Sequence, residues 1–374
     1  MEPVQDRDET SDSEVVGIDS VRYSVKISVI VASVLFTLVV VEAAYRFSFS
    51  TNELREKYWR NCNVFQYTAG NIQFHATLGY INAPNLDVRF ENPEYTTRIQ
   101  TNSLGFRDDE AAIAEAEVLF LGDSLCFGWG VDEDEICSRH FENISGKRVL
   151  NMGVSGYGTV QQFLLLKEFG ESGNLEGRIA IFLFYPNDIV ESEGILPGLY
   201  PAIVSDSSRF YTTEPFEDAF QDWFFVLEAQ TNSFLGRHSC LWNRVRSASY
   251  HDKKVRLAST IRERHPELPK RKDILLGKEL FDSLFHEINA FSAKNHIVPV
   301  FALIPPLPSV ESNQDWAGGP MIRMALERAA IKYVELGITL GPEDYFQTDC
   351  HWNTNGHKKA AKRIHQYLIG NGML

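Results

Sequence analysis

Three small groups of residues in this chain have the types and spacing that acyl transfer requires. Gly122-Asp123-Ser124 follows directly on the apolar run VLFL (118–121). A serine just past the C-terminal end of a buried parallel strand is presented to the crevice in which α/β sheets bind ligands. Far along the chain, Asp349-Cys350-His351 places a carboxylate and an imidazole two residues apart. In an extended segment such side chains share one side. Asp349 can then fix the tautomer of His351 and stabilise the imidazolium formed as it takes the Ser124 proton. His357, one turn into the helical stretch that follows, is the rival base, and Asp349 with the following Asn and Thr residues could instead cap that helix. Donors to a developing oxyanion have two sources. One is the glycine-rich segment Asn151-Met152-Gly153-Val154-Ser155-Gly156-Tyr157-Gly158, whose backbone can approach a substrate closely. The other is the Asn187 amide in Pro186-Asn187-Asp188.

These groups need elements to hold them. Short apolar runs at VLFL (118–121), VLNM (149–152), IAIFLFY (179–185) and IVPVFALI (297–304) read as buried strands, with a weaker one near Gly337–Leu340. Helical patterns lie between them. Asp132 and Glu135 have capping-box spacing before Ile136, His140, Phe141 and Ile144, and Thr159 and Gln162 repeat it before FLLLKEF. Leu280, Phe281, Leu284, Phe285, Ile288 and Phe291 form an apolar stripe at helical period. Alternation of this kind implies a parallel sheet covered on both faces. The nucleophile, the oxyanion donors and the base–carboxylate pair then fall after strand ends or at the start of the last helix, on one edge of the sheet.

Four blocks in this order resemble the SGNH, or GDSL, hydrolases. The first block is similar to Gly122-Asp123-Ser124, the second to Val154-Ser155-Gly156, the third to Asn187-Asp188 and the last to Asp349-Cys350-His351. The resemblance extends over roughly residues 98–374, since TNSLGFRDDE (101–110) looks like the approach to the first block in anchored members. It implies Ser124 as nucleophile, His351 as base and Asp349 as its orienter. It also implies an oxyanion hole formed by the Ser124 N–H, the Gly156 N–H and the Asn187 side chain. The fold it implies is a flavodoxin-like three-layer α/β/α domain with a central parallel sheet, working without metal or organic cofactor. Two positions depart from the common pattern. Only Cys350 separates Asp349 from His351, and Pro186 precedes Asn187 where a small residue is usual. The single-residue spacing, with Trp352-Asn353 following, is similar to relatives acting on cell-surface polysaccharides, including alginate O-acetyltransferase-like proteins.

The rest of the chain frames that domain. Residues 1–20 are acidic and poor in aromatics, which reads as a solvated tail. The apolar stretch Ile27–Ala44, within an anchor segment spanning 21–46, is long enough to cross a bilayer and has no A-x-A cleavage site. Basic residues flank it on both sides, Arg22 and Lys26 before and Arg46, Arg55, Lys57 and Arg60 after. Large C-terminal domains translocate regardless of such charges, so the domain is expected outside the cytoplasm. Residues 47–110 suggest a β-containing extension, and 111–374 the hydrolase domain, interrupted at about 190–272 by an aromatic-rich insertion that would act as lid or packing element. A net charge of −14 on 374 residues excludes a nucleic-acid surface. Five scattered cysteines include no CxxC pair and leave at least one thiol free.

The expected function is hydrolysis of ester-linked acyl groups, O-acetyl or short acyl esters on carbohydrate. Two others use the same scaffold. An O-acyltransferase would give the acyl group to a sugar hydroxyl, and a non-catalytic glycan-binding module would have no need of a complete triad.

Overall fold

A computed structural model describes residues 10–48 and most of 65–193 and 271–374. Between 194 and 270 it describes 201–203, 210–211, 239, 241–242 and a few residues after 255. The expected role of the insertion therefore lies outside the described residues. So do Cys62 and Cys240, while Cys126 and Cys137 are buried thiols.

The first described element is helix α1, Thr10–Ser48, which begins inside the stretch whose composition reads as a tail. Its portion Tyr23–Phe47 is 25 residues long, and its 18-residue apolar window has a mean hydropathy of 2.5 with none of it buried. At about 1.5 Å per residue it is long enough for a hydrocarbon core of about 30 Å. Near its C-terminal end Glu42 accepts from Arg46 Nε at 2.8 Å, and from Ser239 Oγ and the Leu241 N–H at 2.9 Å each.

Two antiparallel hairpins follow. Strand β1 (Ile72–His75) pairs with β2 (Gly79–Asn82), and β3 (Asp87–Asn92) pairs with β4 (Tyr95–Gln100). The sheet that organises the domain comes next. After the short helix α2 (Ala112–Glu115) come β5 (Val118–Gly122), α3 (Ser124–Phe127), α4 (Cys137–Ser145), β6 (Val149–Asn151), α5 (Thr159–Ser172), β7 (Ile179–Phe184) and α6 (Asn187–Ser192). The two-residue strands β8 (Ala202–Ile203) and β9 (Phe210–Tyr211) pair with each other. The domain closes with α7 (Gly277–Lys294), β10 (Val298–Leu303), α8 (Leu307–Ser312), α9 (Gly319–Arg328), β11 (Lys332–Glu335) and α10 (Thr354–Gly370).

The spatial order is β11-β10-β7-β5-β6, and every pairing is parallel. Numbered along the five strands this is 2-1-3-4-5, the flavodoxin-like doubly wound arrangement. Alternation of side chains builds the two outer layers. Leu119 and Leu121 of β5, with Phe182 and Phe184 of β7, face a core shared with α5, α7 and α9. Val118 and Phe120, with Ile181 and Leu183, face Phe141 of α4 and Ala360, Ala361 and Ile364 of α10. Strands buried on both faces read as unbroken apolar runs, because neither side of the pleat meets water.

Three local expectations need correction. The fifth strand is Lys332–Glu335, not Gly337–Leu340. It is an edge strand with an exposed Lys332 and one fully buried side chain, Val334, too little to stand out as an apolar run. The apparent signal downstream is a turn in which the Thr339 N–H donates to Leu336 O, leaving Ile338 exposed. Thr159 and Gln162 do not form a capping box. Both donate to Asp188 Oδ2 at 2.9 Å, and Gln161 accepts from the Gly158 N–H instead. Asp132 and Glu135 do bond across the expected spacing, but they open a 3₁₀ turn (Glu133–Glu135) ahead of α4, and Ile144 stays exposed.

Candidate active site

In a 2-1-3-4-5 sheet the strand order reverses between the first and third strands, here β5 and β7, and the loops leaving them part to form a crevice. Ser124 starts the helix after β5, and Asn187 starts the helix after β7. Their loops touch: Asn187 Nδ2 donates to Asp123 Oδ2 at 3.1 Å. Asp123 caps α3 by accepting from the Leu125 N–H at 2.9 Å, which turns the chain sharply at the strand end and sets Ser124 at the rim.

The histidine expected as base arrives from the far end of the sequence. Ser124 Oγ lies 2.7 Å from His351 Nε2, and His351 Nδ1 lies 3.3 Å from Asp349 Oδ1. The facing carboxylate dictates a proton on Nδ1, so Nε2 is left as the acceptor for the serine hydroxyl. Asp349 and His351 meet for a different reason from the extended geometry expected. Cys350 has φ 62°, in the left-handed region, so the segment is a turn. The Phe346 N–H donates to His351 O, the Cys350 N–H donates to Phe346 O, and Tyr345 bridges Trp352. This closed loop brings the Asp349 carboxylate to the His351 ring and the ring to Ser124.

The structure gives neither the cap to Asp349 nor the base to His357. Asn353, not Asp349, caps α10 by accepting from the N–H groups of Asn355 and Gly356. His357 is fully buried, its Nδ1 accepts from the Cys137 N–H at 3.2 Å, and burial pushes its pKa down to about 3. It ties α10 to the start of α4 and faces no cleft.

Charge is arranged around the imidazole. Burial pulls the His351 pKa down, but Asp349 and then Asp123 outweigh it, and the net shift is upward. Burial would raise the Asp349 pKa, yet His351, the Tyr95 hydroxyl and the Trp129 indole together hold it below the ordinary carboxylate value. Tyr95 Oη donates to Asp349 Oδ2 at 2.5 Å and Trp129 Nε1 donates to the same oxygen at 2.8 Å. The sequence did not point to either residue. Trp129 could have been suspected from its place five residues after Ser124. Tyr95 carries no local signal.

Of the expected oxyanion donors, Gly156 lies in the loop after β6 with φ 80°, a conformation only glycine adopts without strain. Gly156 is partly exposed while its neighbours on both sides are buried. Asn187 is engaged on both sides: its Nδ2 also donates to Glu191 Oε2 at 3.1 Å. Burial, then the neighbouring Asp123, pushes the Glu191 carboxyl up to about 8. Asp188 is fully buried nearby, with its pKa raised by burial and by Asp123 and Glu191. Among the described residues no group of three or more His, Cys, Asp or Glu side chains is placed to hold a metal ion.

No protein-family model matches the chain, and no curated protein matches it. Solved structures do. A member of the lipolytic protein G-D-S-L family from Veillonella parvula is 12% identical, the match covering 68% of this chain and 98% of that one, with a TM-score of 0.34. Est24, a carbohydrate acetylesterase from Sinorhizobium meliloti, is also 12% identical over 68% of this chain and 99% of its own, with a TM-score of 0.34. The acetyl xylan esterase AlAXEase is 10% identical over 67% and 99%, with a TM-score of 0.36. The solved structures most like this chain include GDSL-type lipolytic proteins and acetylesterases.

Proposed function

We propose that this protein is a membrane-anchored serine hydrolase that cleaves ester-linked acyl groups through Ser124, His351 and Asp349. The observation that carries the reading is the alignment at the switch point of the sheet, with Ser124 Oγ 2.7 Å from His351 Nε2 and the Asp349 carboxylate 3.3 Å from His351 Nδ1. His351 takes the hydroxyl proton as Ser124 Oγ attacks the ester carbonyl, and the carbonyl oxygen becomes an oxyanion. The Ser124 N–H and the Gly156 N–H receive that charge, and the Asn187 amide joins them by releasing one of its two carboxyl acceptors. His351 returns the proton to the leaving alkoxide, which departs as an alcohol and leaves the acyl group on Ser124. Water, deprotonated by the same imidazole, then releases the acid. The spacing of Asp349, Cys350 and His351, with Trp352 following, supports an O-acyl carbohydrate as substrate. A panel of acylated sugars, assayed for release into water and for transfer to an added sugar acceptor, tests the class. No turnover of any acyl ester by the purified protein would remove the proposal.

A pH profile follows from the charges. Only neutral His351 accepts a proton, and its pKa is raised, so the acidic limb of kcat/KM is expected above the ordinary imidazole value of about 6.5. Glu191 ionises near 8 and then puts a second negative charge beside Asn187. That charge opposes a developing oxyanion and holds the amide away from it. A basic limb near pH 8 is expected, and Glu191→Gln should move it upward while leaving the acidic limb in place. An unchanged basic limb in Glu191→Gln would exclude Glu191 as its origin.

The apolar α1 leads to a further expectation. The full chain should sediment with membranes, and the chain from Arg46 onward should remain in the supernatant. Protease added to intact cells or spheroplasts should digest the C-terminal domain. If it is digested only after the membrane is broken, the domain faces the cytoplasm.

A further inference from the structure

We propose that Tyr95 and Trp129 are positioning residues that lock the Asp349 carboxylate for the reaction, making the N-terminal β3–β4 hairpin part of the active site. The inference rests on the triad reading above and extends it to residues outside the four sequence blocks. A carboxylate that faces an imidazole through one oxygen can pivot about its last side-chain torsion. Here the second oxygen is occupied. Tyr95 Oη and Trp129 Nε1 both donate to Asp349 Oδ2, at 2.5 and 2.8 Å. Two donors match the two lone-pair directions of that oxygen and leave Oδ1 turned to His351. The main chain is fixed as well, since the Asp349 N–H donates to Glu94 Oε2 at 2.8 Å. Trp129 touches both partners of the dyad, its ring centroid lying 5.7 Å from that of His351.

Both donors are themselves held rigidly. Trp129 packs in an aromatic cluster with Phe65, Phe90 and Phe127. Its backbone is clasped by the fully buried Arg107, which donates through Nη1 to Gly128 O at 2.6 Å and through Nη2 to Val131 O at 2.8 Å. Arg107 Nη2 also donates to Arg98 O of β4 at 2.9 Å, so one guanidinium ties the Trp129 loop to the hairpin that carries Tyr95. Tyr95 packs on Phe346 of the Asp349 loop, with ring centroids 4.8 Å apart. Between these rings lies Gly130 at φ 88°, where an added Cβ would sit 2.7 Å from Phe346 and 3.0 Å from Tyr95. His351 first, and then these two donors, hold the Asp349 carboxyl below its ordinary value although its side chain is only 11% exposed.

The test uses the full-length protein in detergent, with Tyr95→Phe, Trp129→Phe and the double variant. The readouts are kcat and KM on an aryl acetate, the pH profile of kcat/KM, and labelling by a fluorophosphonate. Removing one charge-assisted hydrogen bond should lower kcat by about tenfold or more with KM little changed. The acidic limb should move upward, because a carboxylate relieved of its donors concentrates more charge on the imidazolium. Labelling should slow but persist, and the double variant should be worse than either single. Tyr95→Phe is isosteric, so it remains decisive if Trp129→Phe folds poorly. Wild-type kcat in Tyr95→Phe, or a lowered kcat with an unmoved acidic limb, overturns the positioning role. Equal labelling of wild type and Ser124→Ala would instead remove the triad reading on which it rests.

Discussion

Ser124→Ala is expected to abolish covalent labelling by a fluorophosphonate and to lower kcat/KM on an aryl acetate by roughly four to six orders of magnitude. The hydroxyl oxygen is the atom 2.7 Å from His351 Nε2, and alanine leaves nothing to attack the carbonyl or to bond phosphorus. Folding should hardly notice. The change removes one hydrogen bond and no packed carbon, so stability should move by about 1 kcal/mol or less. An intact melting temperature with no labelling assigns the nucleophile. Labelling that persists at the wild-type rate refutes it.

The second large effect separates two histidines six residues apart. His351→Ala should remove activity on the scale of the nucleophile itself while the protein stays folded, because His351 lies at a rim and is partly exposed. Asp349→Asn should cost about 10⁴ in kcat, because an amide can hold the ring but favours the wrong tautomer. His357→Ala should show the opposite pattern. It leaves a cavity in a fully buried site and strands the Cys137 N–H, a loss of about 2–4 kcal/mol in stability, with the folded fraction fully active. Thermal unfolding and kcat/KM on the same three variants decide the matter. An active His351→Ala beside a stable but inactive His357→Ala would reverse the assignment.

The sheet was legible in the sequence because strands buried on both faces have no polar residues to interrupt them, as in VLFL and IAIFLFY. The positions of Ser124 and Asn187 could be read for a related reason. A residue directly after such a run lies at a strand end, and parallel strands bring their ends to one edge. The edge strand Lys332–Glu335 was missed because half its pleat is solvated. The Thr159 and Gln162 spacing misled because one pattern of short polar side chains serves equally to cap a helix or to clamp a carboxylate. Which it does depends on where Asp188 lies.

The sequence by itself determined the doubly wound sheet, the apolar N-terminal helix and the identities of the serine, histidine and aspartate that meet. Only the tertiary structure decided how they are held. The Asp349–His351 contact depends on a left-handed Cys350 and a closed loop, which residue spacing does not encode. Tyr95 and Trp129 reach Asp349 across 254 and 220 residues of sequence. Local patterning records which face of a strand or helix meets the core, since burial imposes a period on neighbouring residues. A hydrogen bond between distant residues imposes no period, so a tyrosine in a hairpin and an aspartate in a late loop show their relation only once the chain has folded.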